Sequence, residues 1–345
     1  MNAARLLVTA LRDPASVAGL DAAGWTALLT AARAERLIGT LAHRIDARAA
    51  PPPVARILAD ARQAAAQDRR AALWEAEMAR RALAPLGIPV VLLKGTAFVA
   101  AGLEAGQGRA IGDLDILVPR AALADAERAL RAADWEPVKE DAYDDSYYRR
   151  WMHELPPLIH RERDRMIDVH HTILPPTARP KPNAARLIME RQELGDGLSI
   201  LSSTHIVTHA AAHLFADGDL AGGLRNLWDI DRLCREFAEN QDDFFLCLVE
   251  DAWFEGLGPH VLRALRLSHH LFGTPVPAYR QPLRIDLDLN PADRLFIRRL
   301  LVRDGWGGQR RPVTRLGFYI RSHWLRMPPL MLARHLWIKA RRKPA

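Results

Sequence analysis

The sequence predicts an α+β protein in which a small sheet in the middle of the chain is flanked by helical regions at both ends. Three observations predict this class: helical periodicity in residues 1–86, short apolar runs typical of strands in residues 87–200, and a return to helical periodicity in residues 201–345. We take these ranges as three structural units. A chain of 345 residues with 49% hydrophobic content can bury a core large enough for them.

The first unit is predicted to be a helical cap at the amino-terminal end. Apolar periodicity at 22–37 and at 54–83 predicts two helices. The three prolines at 51–53 lie between them and are expected to break helical structure, because proline lacks the N–H group that a helix interior needs.

The central unit carries the strand signals, and the last unit is helical. Apolar runs predict strands at 89–93, 112–118, 155–160 and 166–172, with a helix at 121–133. Four prolines within 175–182 predict a loop near the end of the sheet. Helices are then predicted at 204–215, 224–237, 242–255 and 259–272, and again after Pro291.

Two carboxylates, Asp113 and Asp115, lie one residue apart in the predicted strand 112–118. Side chains alternate across a strand, so both point to one face while Leu114 and Ile116 point to the other. Neighbouring anions repel each other unless a positive charge lies between them, and a hard divalent cation such as Mg²⁺ takes oxygen ligands of this kind. The pair therefore predicts a metal site.

A small-residue turn, Lys94-Gly95-Thr96, follows the predicted strand 89–93 and precedes a helix-compatible stretch. A turn that opens a helix leaves backbone N–H groups unpaired, which suits phosphate oxygens. The alternative for Gly95 and Thr96 is a tight turn without a ligand. Lys94 at the strand end either contacts phosphate or faces water.

A third carboxylate, Asp168, lies in the predicted strand 166–172. Alternation places Asp168 and His170 on one face, with Ile167 and Val169 on the other. If that face meets the pair at 113 and 115, three carboxylates converge. His170 then either contacts substrate or has a structural role.

These segments together resemble a known family. The sequences Leu-Leu-Lys-Gly-Thr at 92–96, Gly-Asp-Leu-Asp-Ile-Leu-Val at 112–118, His-Glu-Leu-Pro-Pro-Leu at 153–158 and Ile-Asp-Val-His at 167–170 are similar to a largely uncharacterised bacterial family of the DNA polymerase β-like nucleotidyltransferase superfamily. The resemblance implies a small mixed nucleotidyltransferase sheet. It also implies that Gly95 and Thr96 form the phosphate-binding turn, that Asp113 and Asp115 form the metal pair, and that Asp168 is the third acidic ligand.

The implied reaction is transfer of a nucleoside monophosphate from a nucleoside triphosphate to an acceptor hydroxyl or phosphate, with release of pyrophosphate. The three carboxylates would hold two Mg²⁺ ions, with Mn²⁺ as the substitute, and Asp168 could accept the proton of the nucleophile. Arg109 is a candidate contact to the triphosphate because a guanidinium matches phosphate oxygens in a two-pronged way; its alternative is a solvated loop arginine. Lys94 and Thr96 depart from the family pattern, in which many relatives have Gly and Ser.

Two other functions remain open. A metal-dependent glycosyltransferase would also use an Asp-x-Asp pair, but it would leave Asp168 and the turn at 95–96 without a role. A catalytically inactive nucleotide-binding protein would keep the same residues without turnover. A location of Asp168 far from the pair would favour the glycosyltransferase.

Several other polar residues are interpreted as structural. His205, His209 and His213 recur every four residues and share one helix face, so they pack at a domain interface or, alternatively, bind zinc or phosphate. Arg225 and Asp229 have the spacing of a helix-surface ion pair, with a role in the cleft as the alternative. The dipeptide at 153–154, His-Glu, lacks the second histidine of a zinc-protease motif.

The net charge and the cysteine content limit the possible partners and the location of the protein. A net charge of +7 suits an anionic partner. The basic amphipathic segment 330–343 is predicted to be a last packed helix, with peripheral membrane contact as the less favoured alternative. Two cysteines without a Cys-x-x-Cys spacing, and an amino terminus without a secretory hydrophobic run, predict a cytoplasmic location.

The acceptor is predicted to be a small molecule, a peptide or a protein. Nucleic acid is not expected as a partner, because the sequence shows no stacking platform of interleaved aromatic residues. The candidates for acceptor recognition are the aromatic residues Tyr143, Tyr147, Tyr148 and Trp151.

Overall fold

The computed structural model describes residues 2–139, 141–195, 197–277, 279–280 and 283–326. The predicted basic helix at 330–343 lies outside these ranges. Within them, no helix combines the length and the apolar composition that a bilayer crossing requires.

Four helices form the amino-terminal part of the fold: α1 (Ala3–Arg12), α2 (Ala22–Ala34), α3 (Ile38–Arg44) and α4 (Pro52–Leu83). The helices predicted at 22–37 and 54–83 are thereby found. The prediction that the prolines at 51–53 break the helix is wrong for two of them, because Pro52 and Pro53 are the first residues of α4. Proline is tolerated there, since the N–H groups of the first turn have no partner within the helix.

A seven-stranded mixed sheet lies in the middle of the chain, which confirms the α+β class. Its strands are β1 (Val91–Leu92), β2 (Asp113–Leu117), β3 (Trp135–Pro137), β4 (Leu158–His160), β5 (Met166–His170), β6 (Gln192–Gly195) and β7 (Leu198–Ile200), in the spatial order β3-β4-β5-β2-β1-β7-β6. The pairs β1·β7 and β2·β5 are parallel, and the other pairs are antiparallel. Helices α5 (Lys94–Ala100), α6 (Leu123–Ala132), α7 (Ala142–Trp151) and α8 (Ala184–Met189) lie between the strands in sequence.

Among the described residues after β7, the regular structure is helical apart from one short pair of strands. It comprises α9 (Ser203–Ala212), α10 (Gly223–Asn240), α11 (Phe244–Phe254), α12 (Gly258–Phe272), the strands β8 (Tyr279–Arg280) and β9 (Leu283–Arg284), α13 (Pro291–Leu300) and α14 (Pro312–Arg326). A π-helical turn, His213–Asp217, continues α9. The predicted helices at 224–237, 242–255 and 259–272 are confirmed.

The sheet orients β2 by burying its apolar side chains. Leu114 and Ile116 are buried in the core, as are Ile167 and Val169 on the adjacent strand β5. Because side chains alternate, burial of these aliphatic residues turns the acidic residues of both strands to the other face.

Helix α3 packs directly on the loop that precedes β2. A Cβ atom on Gly108 would lie 2.4 Å from the backbone carbonyl of Gly39, and one on Gly39 would lie 2.4 Å from the carbonyl oxygen of Gly108. The Thr40 hydroxyl also donates to the carbonyl of Gln107 at 3.2 Å. These glycines therefore allow a backbone contact that fixes the start of the acidic strand.

We expect Gly108→Ala to destabilise the fold more than Gly102→Ala does. Both glycines have positive φ, 66° and 69°, but nothing lies within 4 Å of a Cβ on Gly102. Both alanine variants would therefore carry the strain of a left-handed conformation. Overpacking at Gly108 should add about 1–3 kcal/mol to the loss of unfolding free energy in Gly108→Ala. Urea unfolding of both variants measures the difference. Equal losses of stability would show that the contact between α3 and the loop is not tight.

Candidate functional site

The parallel pair β2·β5 brings the three predicted carboxylates together. The register places Asp115 directly opposite Asp168 and Asp113 opposite Met166. One oxygen from each of Asp113, Asp115 and Asp168 lies within 4.8 Å of the others. The convergence expected from strand alternation is therefore present.

Two groups contact Asp115 from either side. The Lys94 ammonium donates to Asp115 Oδ1 at 2.6 Å, and His170 Nε2 donates to the same oxygen at 2.9 Å. Asp115 is buried, which by itself would raise its pKa, but Lys94 and His170 outweigh burial and hold the pKa well below its usual range. Lys94 was predicted to contact phosphate or to face water. In the structure it forms an ion pair with Asp115, one of the two predicted metal ligands on β2. Its backbone adopts a left-handed φ of 49° at the start of α5.

The pKa of Asp168 shifts in the opposite direction to that of Asp115. Burial raises the pKa of Asp168 to about 7, helped by the negative charges of Asp115 and Asp113. Three carboxylate oxygens crowded in this way repel each other, and a divalent cation placed among them would remove that repulsion. The donor set consists of oxygen alone, which fits Mg²⁺ or Mn²⁺ better than zinc.

A cleft of about 520 Å³ opens onto Asp113 and Asp115. Its walls come from all three parts of the chain: Glu35 and Arg36 after α2, Gly112 before β2, and Gly222 and Asn226 at the start of α10. Asp113 is exposed at this cleft, whereas Asp115 is buried beneath it. A bound molecule would therefore reach the acidic pair from the side of Asp113.

Arg36 is a cleft residue that the sequence analysis missed. It is exposed, has a left-handed φ of 55°, and makes no ion pair among the described residues. Its neighbour in the wall, Arg303, is instead tied to Glu35 at 2.6 Å. The unusual feature of Arg36 is its positive φ, which is rare for a non-glycine residue and cannot be seen in the sequence.

The turn at 95–96 is packed against Arg109. A Cβ on Gly95 would lie 2.5 Å from Arg109 Nε, so the absence of a side chain at Gly95 makes room for the arginine. Thr96 is buried, and its hydroxyl has no hydrogen-bond partner among the described residues. The alternative of a solvated loop arginine is wrong, because the Arg109 side chain is 13% exposed and forms an ion pair with Asp229.

Arg225 and Asp229 are buried, so the expectation of a helix-surface pair is wrong. The Arg225 guanidinium donates to Asp229 Oδ1 at 2.7 Å and to the carbonyl of Ala105 at 3.1 Å, and it also donates to the Thr40 hydroxyl. This network joins α10 to α3 and to the loop before β2. Asp229 thereby pairs with both Arg225 and Arg109, two arginines that line the cleft.

The helix histidines lie between the sheet and the carboxy-terminal helices. His205 is buried, and its Nδ1 lies 2.9 Å from the Ser202 hydroxyl. Burial lowers the pKa of His209 and so disfavours its charged form. His209 and His213 line a small cavity beside Lys94 and Phe98. The packing interpretation of these histidines agrees with this arrangement.

The proposed acceptor residues lie on α7. Trp151 is 43% exposed, and the rings of Tyr147 and Tyr148 are 6.3 Å apart in an edge-on arrangement; the side chain of Tyr143 lies outside the described part of the structure. Among the described residues, none of those that line the cleft comes from α7. Acceptor recognition by this helix stays a prediction.

A family model described as an uncharacterised nucleotidyltransferase matches residues 21–273. The match runs from α2 to the end of α12 and includes all seven strands of the large sheet. Comparison with curated proteins finds no match, and neither does comparison with solved structures.

Proposed function

We propose that this chain, which belongs to the uncharacterised nucleotidyltransferase family, transfers a nucleoside monophosphate from a nucleoside triphosphate to an acceptor hydroxyl or phosphate and releases pyrophosphate. The observation that carries the proposal is the register of β2 and β5, which sets Asp168 beside Asp115 and Asp113, the two carboxylates that line the cleft. The mixed sheet with acidic residues on adjacent strands also supports the placement in the DNA polymerase β-like superfamily.

Asp113, Asp115 and Asp168 would hold Mg²⁺, with Mn²⁺ as the substitute. When bound, the metal supplies positive charge that neutralises the phosphates and activates the attacking oxygen. Lys94 holds Asp115 charged and in place. Arg36, an exposed residue of the cleft wall, would contact the triphosphate.

In the proposed reaction, the acceptor oxygen forms a bond to the α-phosphorus while the bond from that phosphorus to the bridging oxygen breaks. The electron pair of the broken bond leaves with pyrophosphate, and the proton of the acceptor passes to Asp168. The chain contributes position and charge neutralisation and forms no covalent intermediate.

The glycosyltransferase alternative predicted Asp168 far from the acidic pair. The position of Asp168 opposite Asp115 favours the nucleotidyltransferase instead.

The two cysteines, Cys234 and Cys247, are free thiols, which supports the proposal of a cytoplasmic location.

A thermal-shift panel tests the proposal directly. We expect one of the four common nucleoside triphosphates to raise the unfolding temperature when Mg²⁺ is present, and pyrophosphate to be released once an acceptor is supplied. Stabilisation by nucleotide-sugars alone would contradict the proposal in favour of a glycosyltransferase. Stabilisation by a triphosphate without turnover on any acceptor would favour the inactive binding protein.

We expect Arg36→Ala to raise the KM for the nucleoside triphosphate about 10-fold, because one charge-assisted contact to phosphate is lost at a partly solvated site. The unfolding temperature should not change, since Arg36 is exposed. Arg33→Ala is the matched control: Arg33 is also exposed and lies on α2, and it is not among the described residues of the cleft wall. An equal rise in KM for both variants would indicate a general effect of net charge.

A further inference from the structure

A second cluster of metal-ligating side chains lies next to Asp115. It consists of His153, Glu154 and His170, here called the imidazole cluster. The segment around Glu154 runs antiparallel to the end of β5, with Glu154 paired to His170. Two backbone hydrogen bonds, from Leu155 N–H to the carbonyl of Val169 and from His171 N–H to that of His153, both 2.9 Å long, fix this pairing. The backbone therefore sets the relative positions of the three ligands.

The two distances from Glu154 to the imidazoles are close to the edges of a metal coordination shell. Glu154 Oε2 lies 3.3 Å from His170 Nδ1 and 3.6 Å from His153 Nε2, and the three ligand atoms lie within 4.8 Å of one another. Ligand atoms at about 2.0–2.1 Å from a tetrahedral Zn²⁺ are roughly 3.4 Å apart. A separation of 3.6 Å exceeds a hydrogen bond, so the placement of His153 against Glu154 suits an ion between them better than a direct bond.

The outer contact of His170 supports the same interpretation. A histidine that binds metal through one ring nitrogen usually donates its other N–H to a carboxylate, which fixes its orientation. His170 Nε2 donates to Asp115 Oδ1 at 2.9 Å, so Nδ1 faces the imidazole cluster. Asp115 would thus be the supporting carboxylate of this site as well as a ligand of the neighbouring one.

The ligand types separate the imidazole cluster from two other groups. Asp113, Asp115 and Asp168 offer oxygen alone, which suits a hard cation. In the group formed by Glu190, His205 and Asp251, the Arg186 guanidinium already donates to both carboxylates, at 2.8 and 2.5 Å. Two imidazoles with one carboxylate are instead a set that borderline metals such as Zn²⁺ prefer.

We propose that His153, Glu154 and His170 form a binding site for Zn²⁺ or a similar borderline divalent metal, distinct from the hard-cation site. The Glu154 side chain is 17% exposed and offers the entry path, while the imidazole of His170 is buried. The bound metal holds His170 in place and thereby orients Asp115. It is a positioning element, because it contacts a ligand of the reaction site and not the substrate.

Titration with Co²⁺ tests this site without nucleotide or turnover. The probe is the full chain after treatment with a chelator. We expect one Co²⁺ per chain to give the visible absorption of a tetrahedral ion, and Zn²⁺ to displace it while excess Mg²⁺ does not. His153→Ala and Glu154→Gln should each weaken Co²⁺ binding at least about 100-fold, whereas Asp113→Asn should leave it unchanged.

The controls separate this proposal from the proposed function. Circular dichroism checks that each variant is folded, and Glu154→Gln, which keeps the side-chain shape, decides the matter if His153→Ala does not fold. Absence of the tetrahedral absorption in the unaltered chain would overturn the proposal. So would absorption that survives in Glu154→Gln or disappears in Asp113→Asn. None of these readouts depends on nucleotidyl transfer.

Discussion

Asp113→Asn is expected to reduce kcat for nucleotidyl transfer by about 10³-fold or more, which corresponds to about 4 kcal/mol of lost transition-state stabilisation. The substitution removes one negative charge from the acidic pair at the cleft while it keeps the size of the side chain. Asp113 is exposed and has no ion pair among the described residues, so the unfolding temperature should not change. Pyrophosphate release and a thermal melt measure the two quantities.

The control for this loss is Asp164→Asn. Asp164 is also exposed and lies in the turn that precedes β5, and its left-handed φ of 53° is one that asparagine tolerates. Full activity in the control and loss in Asp113→Asn would support the metal role. Retention of more than a tenth of the activity in Asp113→Asn would refute it. Asp115→Asn is the less informative variant, because it also leaves Lys94 without its carboxylate.

Asp229→Ala is expected to lower the free energy of unfolding by about 3–5 kcal/mol. Asp229 is 2% exposed and accepts from Arg225 and Arg109, so its removal leaves two buried guanidinium groups facing each other without the charge between them. Breaking a buried ion pair from one side costs more than the pair itself contributes, because the remaining charge stays desolvated. Urea unfolding measures the loss.

The matched control for Asp229→Ala is Asp125→Ala, which removes an aspartate from the exposed pair with Arg128 on α6. Exposed pairs are screened by water and contribute little, so the unfolding midpoint should hardly move. If both variants lost stability equally, burial of the network at Asp229 would not be the cause. If Asp229→Ala were as stable as the unaltered chain, α10 would not depend on these contacts for its position.

Much of the fold follows from local pattern. The alternation of Leu114 and Ile116 with two aspartates predicts both the strand and the face of its carboxylates, and the same reasoning applies to Asp168. The long helices were predicted from periodicity alone. Three strands of the sheet, β3, β6 and β7, were not predicted. All three are short, and pairing with neighbouring strands defines them: β3 pairs with β4, and β7 pairs with β6 and β1.

The remaining features of the site depend on contacts between distant parts of the chain. Strand alternation sets the face of Asp168, but only the parallel register with β2 sets its distance from Asp115. Arg36 reaches the cleft from the turn after α2 and carries no local motif. The spacing of Arg225 and Asp229 is visible in the sequence, but their burial depends on α3 and on the loop before β2. Lys94 was recognised as a charged group at a strand end, but its partner, Asp115, is 21 residues away.

The walls of the cleft have a practical consequence. Glu35 and Arg36 come from the turn between α2 and α3, and Asn226 comes from α10, while Asp113 and Asp115 come from the sheet. A fragment cut to residues 87–200 would carry the carboxylates yet lack two sides of the chamber around them. Attempts to minimise or transplant this site must therefore keep the helices on both sides of the sheet.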